Sequence, residues 1–186
     1  MGYPSAEHDR MIAAMLLPCV VVGVDLIAGR VRVKAGDWVS AWVRWHSLAA
    51  GKARHWRAPS PGEQGALFSP SGDPAIGTFI PGLYGNAGAP PDNRDHVEAW
   101  YFDDGGSLVY DWQAGSYSID LPNGSSATIK VGESLFEVTP DQVRVAASQI
   151  TLAGEVSIDG ALSVSGDING AGTIMDAGGN SNHHSH

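Results

Sequence analysis

From residue 125 onward, apolar side chains recur in pairs two positions apart. Ile129 and Val131, Phe136 and Val138, Val143 and Val145, and Ile150 and Leu152 step by seven. Val156 and Ile158, then Leu162 and Val164, step by six, and Ile168 and Ile174 continue the first position of each pair. Glycine keeps the same six-residue beat at Gly154, Gly160, Gly166, Gly172 and Gly178. Spacing by two places side chains on one face of a strand. Each unit therefore predicts a very short strand followed by a turn. Such a unit has little apolar surface to bury alone and needs stacked neighbours. One chain could coil as a β-helix, or three identical chains could wrap around one axis, each giving one strand per layer. The coil would have only a few turns and poorly protected ends. The three-chain form pairs strands around a closed circuit and removes lateral edges. The expectation is a trimeric needle with apolar residues on its axis and Ser, Asp and Asn facing water.

The first half is patterned differently. Residues 4–17, "PSAEHDRMIAAMLL", read as a short helix with Pro4 and Ser5 at its start and Ile12, Met15 and Leu16 as an apolar stripe. "VVVGVDLIAGRVRVKAGDWVSAWVRWHS" then alternates apolar and polar residues between glycines, as half-buried strands do. Val31 and Val33 face one way; Arg30, Arg32 and Lys34 face the other. "LAAGKARHWRAPSPGEQ" is a loop by composition, and "GALFSPSGDPAIGTFIPGLY" gives two more strands around a turn. Five short antiparallel strands predict a small closed barrel of the OB type. Residues 85–96 have the composition of a linker. "VEAWYFD", "SLVYDW" and "SYSIDLP" follow as strands, with "DDGG" and "PNG" as turns. The resulting fold class is all-β: an N-terminal helix (1–17), an OB-fold domain (18–95), a linker with transition strands (96–124), an intertwined triple-stranded β-helix (125–182) and an apex (183–186).

Composition narrows the functions open to such a chain. Hydrophobic residues make up 43% of the 186, ordinary for a folded protein. Cys19 is the single cysteine, so no internal disulfide framework exists, and its apolar surroundings read as packing. The longest apolar stretch, residues 11–24, is too short to span a bilayer, contains Pro18, and follows Glu7, Asp9 and Arg10 instead of a basic region. The expectation is a protein made in the cytoplasm without an export signal. The net charge of −9 falls entirely in the second half: residues 101–186 carry Lys130 and Arg144 against eleven carboxylates. That half repels phosphate backbones, which argues against nucleic acid as a partner. In the first half, Trp38, Trp42 and Trp45 near Arg44, Arg54 and Arg57 could offer a stacking surface for oligonucleotides or sugars. Its balanced charge favours the tryptophans as barrel or interface packing.

The chain ends "NSNHHSH". An expression tag would normally be uninterrupted, whereas Ser185 continues the polar pattern before it. His184 and His186 share one strand face, and three chains would bring six imidazole nitrogens to one point on the axis. That set suits an octahedral first-row transition metal. Six protein ligands leave no open position, so the ion would be structural, clamping an end prone to fraying. His183 would face outward. His8, His46, His55 and His96 are scattered and show no ligand spacing.

The order of parts resembles the baseplate assembly protein V family, the central spike proteins of contractile-tail phages and R-type bacteriocins. "EHDRMI", "PSPGEQ", "SPSGDP" and the final "HHSH" carry the resemblance, which extends over essentially the whole chain. It implies a homotrimer at the baseplate tip of the particle, capping the tail tube against hub proteins. An iron ion would be held by His184 and His186, and sheath contraction would drive this tip into the target's outer membrane. Many members continue beyond the H-x-H motif, whereas this sequence ends there. Two other functions fit parts of the sequence. The barrel could be a carbohydrate- or cell-wall-binding module. The hexad could be a single-chain acyltransferase helix, but residues 97–182 contain no histidine to serve as its base.

Overall fold

The computed structural model describes residues 3–172. Helix α1, Tyr3–Ala14, is exposed over residues 6–13, with Arg10 reaching back to Glu7 at 2.9 Å. It ends three residues short of the expected boundary, where the Met15 amide bonds to the Ile12 carbonyl. Leu16 and Leu17 belong instead to strand β1, Leu16–Asp25, because they pair with Phe68 and Leu67. Strand pairing across the barrel overrides the helical spacing of Leu16. The Met11 backbone lies over Gly72, where an added Cβ would come within 2.8 Å of the Met11 carbonyl, so this loop position has no room for a side chain.

The barrel continues with β2 (Arg30–Ala35), the short β3 (Trp38–Val39), β4 (Val43–Trp45), β5 (Gln64–Phe68) and β6 (Thr78–Leu83). β1 pairs with β2 and β5, β2 with β4, β4 with β6, and β6 with β5, which closes the circuit. One pair departs from the all-antiparallel expectation: β4 runs parallel to β6, with Trp45 beside Phe79. The long loop after β4 makes this possible, because parallel neighbours need a crossover and cannot be joined by a tight hairpin. The alternation read from the sequence faces the right way. Val31 and Val33 are buried while Arg30, Arg32 and Lys34 are exposed. Cys19, Val21, Val31, Val33, Val43, Leu67 and Phe79 form the core. Burial pushes the Cys19 thiol up to about 11, so it packs as a small apolar group. Gly65 admits the Phe79 ring, since any Cβ there would collide with it and with the Ile80 carbonyl.

Strands β7 (Val97–Tyr101), β8 (Ser107–Asp111) and β9 (Ser116–Asp120) form an antiparallel meander. "DDGG" makes the first turn, as the sequence suggests. The second is Trp112–Gly115, where the Asp111 carboxylate accepts from the Gln113 and Ala114 amides at 3.0 and 2.9 Å. "PNG" therefore lies after the meander, at residues 122–124, and not within it. The chain divides at this point into two compact units, Met1–Asp120 and Leu121–His186.

Candidate assembly surface

The second unit opens with β10 (Ala127–Val131), β11 (Ser134–Val138) and β12 (Val143–Ala146), a second antiparallel meander. Ile129 stands opposite Phe136, and Phe136 opposite Val145; Ala127, Val138 and Val143 form a second row. The pairs spaced by seven therefore share one sheet face. On the other face Thr128, Glu137 and Arg144 align, with Lys130 opposite Leu135. Among the described residues the apolar face is uncovered: Val131 is 76% exposed, and Ile129, Val143 and Val145 are exposed as well.

These seven-residue units differ from the six-residue units in how they find partners. The longer units carry reversing turns, Gly132–Glu133 and a Thr139–Gln142 turn closed by the Thr139 amide on the Gln142 carbonyl at 2.8 Å. Adjacent strands therefore pair within one chain. From residue 147 to 172 the chain forms no strand of its own. It bends at Gly154, Gly160, Gly166 and Gly172, the beat of the repeat. Gly154 and Gly160 have φ of +127° and +140°, a region that side chains rarely allow. Between the bends Ile150, Leu152, Val156, Ile158, Leu162, Val164 and Ile168 are all exposed, Leu152 at 72%. Extended backbone without hydrogen-bond partners, carrying regular apolar side chains, is an assembly surface. Its unpaired amides and carbonyls need another strand as much as its side chains need cover.

His184 and His186 lie outside the described residues. His8 is exposed on α1. His46 and His55 line a cleft beside the barrel. His96 sits 3.1 Å from an Asp95 carboxylate oxygen. Among the described residues, no cluster of three His, Cys, Asp or Glu side chains could hold a metal. Of the arginines near the tryptophans, Arg57 is engaged in an ion pair, and two others on the barrel, Arg30 and Arg32, contact Trp42. Arg57 forks onto Glu63, with one bond at 3.1 Å, Arg30 donates to the Trp42 carbonyl at 3.0 Å, and Arg32 lies over the Trp42 ring at 5.9 Å.

Two features were not read from the sequence. Arg94 grips Asp92 through Nε and Nη2 at 3.1 and 2.6 Å, and the Tyr101 hydroxyl donates to the same carboxylate at 3.0 Å. The Arg94 guanidinium holds the Asp92 carboxyl well below the usual range. This pins the start of β7, and only the Asx turn implied by "PDNR" hinted at it. The second feature is an aromatic face on the β7–β9 sheet. Trp100, Leu108 and Ile119 align there, as do Glu98, Tyr110 and Tyr117, with the tyrosine rings 6.5 Å apart.

Residues 17–84 match the family model of the type VI secretion system and phage-baseplate injector OB domain. Residues 98–170 match that of the Gp138 beta helical trimerization domain. The chain is also 27% identical over 146 residues to the spike protein of Escherichia phage P2, covering 78% of this chain and 68% of that protein.

Proposed function

We infer, on the premise that this chain belongs to the phage-baseplate spike family, that it is the membrane-piercing tip of a contractile tail. The chain is a structural part of a tail baseplate and not an enzyme, which removes the acyltransferase alternative. Its trimerization domain makes it a homotrimer. The finer reading is that the trimer caps the tail tube of a phage or an R-type bacteriocin. Sheath contraction then pushes its narrow end through the outer membrane of the target cell.

One observation carries this reading: the rungs from Ile150 to Ile168 expose their apolar residues and have no partner strand among the described residues. Wound together, three copies would cover those residues and pair that backbone, giving a thin and stiff rod. Stiffness is what a passive tip needs when the sheath supplies the work. His184 and His186 would close the rod by holding one iron ion, or another transition metal, with six nitrogens. These residues fit the group by chemistry, since imidazole is a common ligand for such ions. The bound ion would supply cross-linking of the three ends and no reaction.

Native mass measurement with elemental analysis tests this. The expected result is three chains and one metal ion. The double variant His184→Ala/His186→Ala should remain trimeric and lose the ion. Tails carrying it should contract normally but penetrate cells less efficiently. A monomeric wild-type chain would sink the spike reading, and full metal occupancy in the double variant would sink the site.

A further inference from the structure

The barrel carries an apolar plug and, at the same end, an apolar socket. The plug is the β1–β2 hairpin tip. Ile27 is fully exposed and Leu26 is 61% exposed. The tip is held in one shape, since the Asp25 carboxylate accepts from the Ile27 and Ala28 amides at 3.0 and 2.9 Å, and Gly29 supplies a φ of +63°. Two adjacent aliphatic side chains displayed on a braced turn are costly in water. The socket is a cleft of about 490 Å³ lined by Leu48, Trp56, Pro81, Trp100, Tyr101 and Phe102, among others. His55 meets Trp100 edge-on at 6.3 Å in its wall.

Plug and socket flank one ridge. Arg30 pairs with Arg44, which brings the hairpin to the end of β4. The Trp45 ring lies near Gly29 and stacks against Trp56 at 5.5 Å between centroids. The exposed tip does not fill its own cleft. A threefold ring needs a heterologous contact, in which one surface of each copy meets a different surface of the next. Two unlike surfaces on either side of a ridge meet that need when the ridge faces the axis. The socket is also continuous with the trimerization segment, because Trp100, Tyr101 and Phe102 fall within residues 98–170. We propose that Leu26 and Ile27 of each copy seat in the Trp56–Trp100 cleft of the next copy, forming a collar at the barrel end. This rests on the trimer described above and adds a second interface to it, distinct from the rungs.

The test places the photo-cross-linker p-benzoylphenylalanine at Ile27 in the full chain. Heavy-isotope and light copies are mixed before assembly, and cross-linked peptides are mapped. The expected adducts join residue 27 of one copy to residues 48, 56 or 100–102 of another. Adducts confined to one copy, or at other positions, overturn the proposal. So do adducts to a hub protein when tail proteins are added. Hydroxyl-radical footprinting of the wild-type trimer gives a second readout. Trp56, 64% exposed in the single chain, should be protected. Reactivity typical of an exposed tryptophan would mean an open cleft, free for a glycan, and would also overturn the proposal. Native mass separates the failures: a trimer without these adducts loses only the collar, whereas a monomer loses the spike reading as well.

Discussion

The barrel and the rungs use the same side chains at the same spacing and bury them in opposite ways. Val31 and Val33 are two apart and buried, inside a closed circuit of strands from one chain. Val156 and Ile158 are also two apart, and both are exposed with no strand beside them among the described residues. Alternation thus specifies a half-buried strand but not who supplies the cover. Strand length and connection decide that. β1 spans ten residues and is followed by a reversing turn, so the chain can fold back on it. A rung of a few residues ended by a single glycine bends onward without reversing, and its cover comes from other copies. The meander of β10–β12 stands between these cases. Its backbone pairs within the chain while its apolar face does not find cover there.

The hardest blow to this contrast is a charge among the rungs. Val156→Asp would place three carboxylates near one axis, and each desolvated charge costs about several kcal/mol. We expect the native mass to fall from three chains to one while the barrel keeps its own melting transition. Ser157→Asp, one residue on and facing away, should leave the trimer intact. A trimeric Val156→Asp with an unchanged melting temperature would place Val156 off the axis. The reciprocal change is Phe79→Ala in the barrel, where the ring is fully buried over Gly65. Removing a buried phenylalanine costs about 3–5 kcal/mol. Calorimetry should show the barrel transition falling while the chain stays trimeric through its rungs. If both transitions fall together, the two regions do not own separate cores.

Much of this division is legible in the sequence because it depends on periodicity. The alternation of residues 30–34 fixes which side chains enter the barrel, and the glycines at 154, 160, 166 and 172 mark where the described rungs bend. Pairing partners are less legible. Nothing local to Leu16 reveals that Phe68 will draw it out of the helix, and nothing local to Trp45 announces a parallel neighbour at Phe79. Both depend on residues far away in the chain. The difference between units of seven and of six is visible as a number. Its consequence, pairing within the chain against pairing between copies, depends on whether the extra residue completes a turn. Of the proposed metal site, chemistry and spacing are legible at His184 and His186, which lie outside the described residues; their convergence would require the trimer. The aromatic cleft escapes notice because Trp56 and Trp100 are far apart in sequence and meet only through the loop after β4.

The smallest expected effect separates both cores from the segment that follows the barrel. Residues 92–96 are held by polar contacts, chiefly Arg94 and Tyr101 on Asp92, with Arg94 also 3.5 Å from Asp111. The Arg94 guanidinium depresses the Asp92 carboxyl, and the Ala114 amide is the largest influence depressing that of Asp111. A carboxylate whose folded value is lowered adds stability that is complete above its ordinary value, near 4, and is lost as pH falls through the folded value. The clamp should therefore hold throughout the neutral range and loosen only in strong acid. Carbon-13 shifts of the Asp92 carboxyl should show it titrating below ordinary aspartates, and Arg94→Ala should move that titration upward. The change in overall melting temperature should be slight, since exposed ion pairs contribute little. Phe79 and Val156 have no such dependence, because apolar burial carries no proton. If Asp92 titrates like an ordinary aspartate in the wild-type chain, the clamp is not formed in solution and the start of β7 is set by strand pairing alone.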